Sequence, residues 1–371
     1  MMLDIQTHRV LSSLQSLRDE WDALYRECGT SPAQTFEYVT SAFQHNFAAM
    51  RSSIQVISVR AGDQLVVVWP LVAVKGVVIT RLLHPGCGSG EEYAAPLARP
   101  GPWCEPALAA ALGALRNSAD ILEIRNVRHD HPLVRVLETP TSRLQSGSVF
   151  SPVIAACRDA DWEGWLQTKS RSFRQQLRYG RRELEAKGQL SLSDVRDPDG
   201  IRLAVDWLFD RKVDFIRHQD IRKSWVLKHQ NRTFFSDVIF SCPDIKIYVL
   251  CIENEIIAAG VCFDSIDTSE YYMTAYNEKY ARYSPGNILL EELVKVAFER
   301  KKAFDFRITH DAYKLRWTDS LVQYHRYSLA FSRVGVIVHR ATVFQPVWHR
   351  FKRSVKLTLN RVRKRCTPDV V

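Results

Sequence analysis

No C-x-x-C pair occurs among the eight cysteines, Cys28, Cys87, Cys104, Cys157, Cys242, Cys251, Cys262 and Cys366. Scattered in this way, with Cys251 and Cys262 inside apolar β-like runs, they read as small reduced core residues and not as a disulfide framework or zinc ligands. No metal is therefore expected; His129-Asp130-His131-Pro132 offers two ligands without a third and reads as a surface turn. A long apolar run is also missing. The longest, Leu65–Val74, contains Pro70 and stops at Lys75-Gly76, too short for a bilayer and better read as strand, turn, strand. Met1–Gln6 lacks a basic stretch followed by an apolar one, so no secretion signal is expected and a cytoplasmic location is. Charge of one sign is absent from most of the chain. The net charge is +10, yet from Ser320 onward eleven Lys or Arg face a single acid, Asp369, which leaves 40 basic and 40 acidic residues in 1–319. Such a balance describes a neutral globule with a cationic C-terminus, and DNA is not an expected partner.

What is present is an ordinary globular composition, 46% apolar and 25% charged over 371 residues. That length predicts two domains. The first half has helical patterns at Leu14–Glu27 and Phe36–Phe47. Strands at Ile54–Arg60, Gln64–Val74 and Val77–Leu83 follow, then a helix near Ala107–Arg116 and a strand at Ile121–Val127. The second half repeats the order. Helical patterns cover Trp162–Lys187, Ile201–Arg217 and Ile221–Phe240. Strands Lys246–Glu253 and Glu255–Asp264 form a tight hairpin, with a third at Glu270–Tyr276. A helix at Asn287–Lys302, a strand at Ala303–Ile308, a short helix near Asp311–Trp317 and a strand at Gln323–Phe331 complete it. The expectation is an α/β (α+β) protein of two similar domains, residues 1–150 and 151–335, followed by a basic tail, 336–371. The Gly86–Gly90 loop looks like a phosphate cradle but runs into Glu91-Glu92, whose charge repels phosphate, and reads as a flexible turn.

The chemistry concentrates in the second half. A strand, Tyr271–Tyr276, leads through a loop to Pro285-Gly286-Asn287 at a helix start. Unpaired N–H groups and the positive end of the helix dipole there suit a pyrophosphate. Pro285 has no N–H to orphan, Gly286 admits a ligand close to the backbone, and Arg282 adds charge. An ordinary capped β-turn-α connection is the bland reading of the same residues. An acid, Asp305, sits in the apolar strand that follows, and Asp311–Trp317 comes directly after.

Tyr283-Ser284-Pro285-Gly286, then Asp305-Phe306, then Tyr313-Lys314, with Arg171, Arg174 and Arg178 opening the second half, give the chain its resemblance. It resembles the CelD/BcsL-type acetyltransferases of bacterial polysaccharide loci, a GNAT branch related to the Fem peptidyltransferases. A weaker likeness runs through Trp69-Pro70-Leu71 and Glu92-Tyr93-Ala94-Ala95-Pro96. The resemblance implies tandem GNAT-like folds with mixed sheets flanked by helices. It also implies an acyl-CoA donor, such as acetyl-CoA, bound by Arg282, Tyr283, Ser284, Pro285, Gly286 and Asn287. The acceptor would be a sugar, glycolipid or polysaccharide precursor. Tyr313 would protonate the leaving group, and Asp305 or Asp311 would act as base or orient the acceptor. Lys314, Arg171, Arg174 and Arg178 would bind substrate oxygens; solvated faces are the alternative for them. Backbone N–H groups where the strands splay would polarise the donor carbonyl. Two departures stand out. The usual pyrophosphate loop would place glycines at Pro285 and Asn287, and the family's G-x-E reads Thr309-His310-Asp311. They leave open an aminoacyl-tRNA donor, as in the Fem relatives; a non-catalytic partner of a polysaccharide synthase is the other alternative.

In the tail, Phe344, Val347, Trp348, Phe351, Val355, Leu359 and Val362 recur at helical spacing. Arg350, Arg353, Lys356, Arg361, Lys364 and Arg365 lie between them. That pattern predicts a basic amphipathic helix suited to an anionic membrane surface, or to the protein's own second domain.

Overall fold

The computed structural model describes residues 2–91, 93–138, 144–219, 221, 224–308 and 312–339. Asp311, Glu92 and the tail helix at 344–362 lie outside the described residues. Thirteen strands and ten α-helices are bounded in the described chain, and residues 333–339 are also helical up to the last described residue. The first half holds β1 (Leu3–His8), α1 (Arg18–Cys28), α2 (Phe36–Asn46), β2 (Ser52–Ala61), β3 (Gln64–Lys75), β4 (Thr80–Leu83), β5 (Leu97–Ala98), α3 (Cys104–Leu115), β6 (Ile121–Arg128), α4 (Pro132–Leu137) and β7 (Leu144–Ile154). The second half holds α5 (Trp162–Thr168), α6 (Arg171–Glu185), β8 (Leu190–Val195), α7 (Pro198–His218), α8 (Gln230–Ser241), β9 (Ile245–Ile252), β10 (Glu255–Asp264), β11 (Thr268–Tyr276), α9 (Pro285–Glu299), β12 (Ala303–Asp305), α10 (Ala312–Trp317) and β13 (Ser320–Ala330).

All strands join one mixed sheet in the order β1-β2-β3-β4-β6-β13-β7-β12-β11-β10-β9-β8, with β5 on β3. Read outward from the middle, this order is a repeat. Three antiparallel pairings lead from β1 to β4, and β4 pairs parallel with β6. Three antiparallel pairings likewise lead from β8 to β11, and β11 pairs parallel with β12. The last strand of each half is exchanged. β13 inserts between β6 and β7, while β7 pairs with β12 and β13. The α/β expectation therefore holds, and the boundary read at residue 150 falls inside β7, a strand that completes the sheet of the other half.

Helices cover both faces because the central strands are apolar on both sides, as in β3, buried from Leu65 to Ala73. On one face α2 meets α8: Tyr38 packs edge-on against Phe234 and His45 bonds Asp237 at 2.8 Å. On the other, α6 and α9 lie over β10–β12 with Phe173, Leu177 and Leu184 facing inward. The single helix read at Trp162–Lys187 is two, because Lys169 is extended and Ser170 caps α6 by accepting from Phe173 N. Only Gln230–Ser241 of the helix read at Ile221–Phe240 is α-helical; Trp225–Leu227 is a 3-10 turn. The Gly86–Gly90 loop is not a free turn. It is buried, and Asn231 and Tyr272 of the second half donate to its Gly88 and Ser89 carbonyls at 3.2 and 3.0 Å. Among the described residues no helix is long and apolar enough to cross a membrane.

Candidate active site

β11 and β12 pair over only three positions, ending at Glu270↔Asp305. From Tyr271 to Tyr276, β11 pairs with β10 alone. The cause is local: the β10–β11 register shifts between Val261 and Cys262, so β11 carries one extra residue at the point where it leaves its neighbour. A bulge raises the twist and turns a strand edge away, which opens a wedge between two parallel strands. Unpaired main-chain groups of β11 line one side of the wedge, the placement an oxyanion-binding edge requires.

Beyond the wedge, a 3-10 turn, Glu278–Tyr283, delivers the chain to α9. Ser284 takes the left-handed conformation (φ 55°) and Pro285 opens the helix. The six residues read as donor-binding do not act alike here. Tyr283 and Pro285 are buried and shape the loop, Arg282 is exposed, and Ser284, Gly286 and Asn287 are half-buried. Asn287 N and Ile288 N both donate to Ser284 O, at 2.9 and 3.3 Å. Among the described residues Gly286 N has no main-chain acceptor, as expected of a first-turn donor. The helix α6 crosses the turn so closely that a Cβ at Gly180 would stand 2.6 Å from Tyr283 O. Its Arg171 and Arg178 are exposed, and Arg174 donates to Gln167 O at 3.3 Å. Lys187, Lys279 and Arg282 line a shallow pocket beside this loop, with Lys279 paired to Glu255 at 2.9 Å.

Tyr313 and Lys314 stand at the wedge on α10. Tyr313 is 38% exposed. Tyr271, the first residue of β11 freed from β12, is buried, and that burial pushes its hydroxyl up. Lys314 is only 6% exposed and donates to Phe306 O at 2.9 Å, holding the end of β12 where it diverges. That contact is a scaffold role, different from the substrate contact read from sequence. Asp305 is buried and fully engaged. Its Oδ1 accepts from Ser151 and from Arg307 N (2.6 Å), its Oδ2 from the Tyr93 and Tyr324 hydroxyls (3.1 Å each). With four donors on its two oxygens, Asp305 is held in place as a positioning group.

Sequence reading missed the centre of this region. Arg307, in the left-handed conformation (φ 60°), is buried between Glu91 and Glu270, at 2.6 Å from each. Its guanidinium lies between the Tyr93 and Tyr272 rings, 4.5 Å from each. Glu270 Oε2 takes the Arg307 bond, whereas Oε1 is buried and, among the described residues, has no partner at hydrogen-bond distance, with the Ser31 hydroxyl nearby. Burial pushes the Glu270 carboxyl up to about 8, against the pull of Arg307. A cavity of about 310 Å³ opens onto Glu270, Asp305, Tyr93 and Tyr324 from between the two halves. The signal that marked Asp305, an acid inside an apolar strand, also marks Glu270 in Ser269-Glu270-Tyr271-Tyr272. Arg307 and Glu91 had no local signal, since only the fold brings them together. Among the described residues no cluster of three metal-ligating side chains occurs.

The geometry agrees with what the chain is similar to. Residues 171–315 match the acetyltransferase (GNAT) domain family. The matched stretch holds α6, the wedge, the α9 start and α10, and it makes the chain an acyltransferase at the level of class. No curated protein matches the sequence significantly. Solved structures share the fold at low identity. FemX aligns with TM-score 0.56 and 11% identity over 86% of this chain and 96% of its own. The C-terminal domain of a putative lysylphosphatidylglycerol synthetase from Agrobacterium fabrum aligns with TM-score 0.56 and 10% identity over 89% and 96%. A conserved protein of unknown function from Bacteroides thetaiotaomicron aligns with TM-score 0.53 and 10% identity over 89% and 100%.

Proposed function

We propose that the chain transfers an acyl group, acetyl in the simplest case, from acyl-CoA to an amino or hydroxyl group of a sugar, glycolipid or polysaccharide precursor, as the resemblance to CelD/BcsL-type enzymes implies. The observation that carries this reading is the wedge between β11 and β12 opening toward the start of α9. An extended pantetheine arm needs a slot between strands, and its pyrophosphate needs an N–H donor at a helix start; the wedge and Gly286 N supply these side by side. Acyl-CoA supplies the acyl carbonyl as a thioester. Gly286 and Ser284 form the phosphate end, with Arg282, Lys187 and Lys279 providing charge from the flank. The freed β11 main chain polarises the acyl carbonyl. Tyr313, exposed on α10, gives its phenolic proton to the leaving sulfur as the C–S bond breaks and is reprotonated through solvent by the proton the acceptor loses as its new bond forms. Asp305 fixes Tyr93 and Tyr324 and so sets the floor beneath the acceptor. The cationic tail, residues 336–371, brings the enzyme to an anionic membrane face. Vesicle co-sedimentation of the full chain against one ending at Arg340 checks that point, with loss of binding expected in the shorter chain.

A second reading, an aminoacyl-tRNA donor, is favoured by the exposed α6 arginines Arg171 and Arg178, which extend the basic flank beyond what a single CoA needs. Mass spectrometry of ligands released from the natively purified chain separates the two. A CoA species is expected; co-purified tRNA with no CoA would replace the first reading by the second.

A further inference from the structure

The cavity between the halves contains more unsatisfied polarity than a structural core tolerates. Among the described residues three buried atoms on its wall have no hydrogen-bond partner: Glu270 Oε1, an acceptor, Asn126 Nδ2, a donor, and the Ser31 hydroxyl, which stands near enough to Glu270 to act on its carboxyl. Buried polar groups in native folds are otherwise almost always paired, and each orphan costs about 1–3 kcal/mol. Asn126 takes a left-handed backbone (φ 47°) where the register of β6 against β13 shifts, a bulge that turns its side chain out of the regular ladder. Its Oδ1 is fixed by Arg326 Nε at 2.6 Å, which fixes the amide and leaves Nδ2 as its free donor.

Charge narrows what fits. Behind the wall, three buried carboxylates, Glu91, Glu270 and Asp305, surround one buried cation, Arg307. The arginines at the rim are paired with acids of their own, Arg128 with Asp130 and Arg99 with Glu27. Acids outnumber cations behind the wall even with the Glu270 proton in place, so an anion entering the cavity would meet negative charge in a poorly screened site, and an arriving ammonium would take the place of that proton. A volume of about 310 Å³ is at the small end for ligand sites and holds one sugar ring, not an extended chain. Glu270 is also the last residue of β11 paired with β12, so a ligand on Oε1 stands at the base of the wedge.

We infer that this cavity is the acceptor's seat. It takes a single amino-sugar-sized head group, with the ammonium on Glu270 Oε1 and a ring or hydroxyl oxygen on Asn126 Nδ2. This inference rests on the acyltransferase reading and deepens it. The first half then contributes directly to substrate recognition through Asn126, and Glu270 is a binding residue for the nitrogen to be acylated.

Calorimetric titration of the intact chain, without donor, tests the seat with three probes: glucosamine, glucose and glucose 6-phosphate. Glucosamine is expected to bind at least tenfold more tightly than glucose, and glucose 6-phosphate not at all. Glu270→Gln should bring the glucosamine-to-glucose ratio to near one. Because Glu270 also pairs with Arg307, a second variant guards against misfolding. Thr30 lies exposed at the cavity lip, and Thr30→Trp should block glucosamine while the circular dichroism spectrum stays unchanged. Equal binding of glucosamine and glucose, or glucosamine binding untouched by Thr30→Trp, would overturn the inference. A parallel titration with acetyl-CoA separates the two ideas: donor binding without glucosamine binding overturns the seat alone, and absent donor binding overturns the acyl-CoA reading alone.

Discussion

The two halves of the sheet open the same kind of gap and treat it in opposite ways. In the first half β4 and β6 pair over two positions, Arg81↔Ile121 and Leu82↔Leu122. The chain between β4 and α3 then folds into that gap. It makes a buried 3-10 turn at Pro85–Gly88, sends Glu91 and Tyr93 into the second half, and returns as β5 on β3. In the second half the corresponding connection is only Asn277–Ser284, and it leaves the start of α9 accessible. One gap is filled by its own chain and becomes a wall; the other stays open for a ligand. A repeated fold thus gives one open and one filled gap from one topology, and the difference lies in the length and burial of a single loop.

The largest effect is expected where the filling loop meets the open half. Arg307→Leu removes the only cation between Glu91 and Glu270 and leaves two buried carboxylates facing each other. Breaking such a pair costs about 3–5 kcal/mol, so urea denaturation should show a marginal or unfolded chain. Tyr313→Phe removes a proton donor at the open gap. About 10²-fold in kcat, or roughly 2.7 kcal/mol, should be lost with donor affinity unchanged in steady-state kinetics. Gly90→Ala acts only on the filled gap. Gly90 has φ 92°, and a Cβ there would stand 2.3 Å from the Trp225 indole. A destabilisation of about 1–2 kcal/mol is expected from thermal unfolding, because the strained backbone persists even if the indole shifts.

The smallest effect is a pH dependence. Glu270 has its folded-state carboxyl raised from 4.5 to about 8, so between these values the folded chain holds more protons than the unfolded one. Its contribution makes stability fall as pH rises through that window. His84 and His131 work the other way at the acid end, since burial lowers both to about 4 and stability is lost as pH falls below 6.5. Between pH 6.5 and 8 the Glu270 effect remains, and Glu270→Gln should flatten the decline measured by chemical denaturation over that range.

The parts legible in the sequence were those set by local pattern. The β9–β10 hairpin, the Pro285 helix start and the amphipathic face of α6 follow from alternation, capping and 3.6-residue spacing, and the structure shows each. β1 and β8 were missed because each is a six-residue edge strand with little burial to impose a pattern. The exchange of β7 and β13 and the Glu91–Arg307–Glu270 cluster were illegible for a different reason. The strand exchange joins residues 150 or more positions apart and Glu91 lies 216 positions from Arg307, and neither charge nor hydropathy at one position announces its partner. Glu270 alone was available to the eye, as a carboxylate in an otherwise apolar strand.

The contrast between an open and a filled gap is tested most directly by isothermal titration of the intact chain with acetyl-CoA, alongside Gly286→Val. Gly286 has only the Tyr276 ring near its Cβ direction, at 3.4 Å, so the substitution crowds a ligand's approach more than the fold. If the second half alone holds the donor, the unmodified chain binds one acetyl-CoA, and Gly286→Val weakens that binding at least tenfold with an unchanged circular dichroism spectrum. Two equivalents bound per chain, or one bound equally well by Gly286→Val, would contradict it.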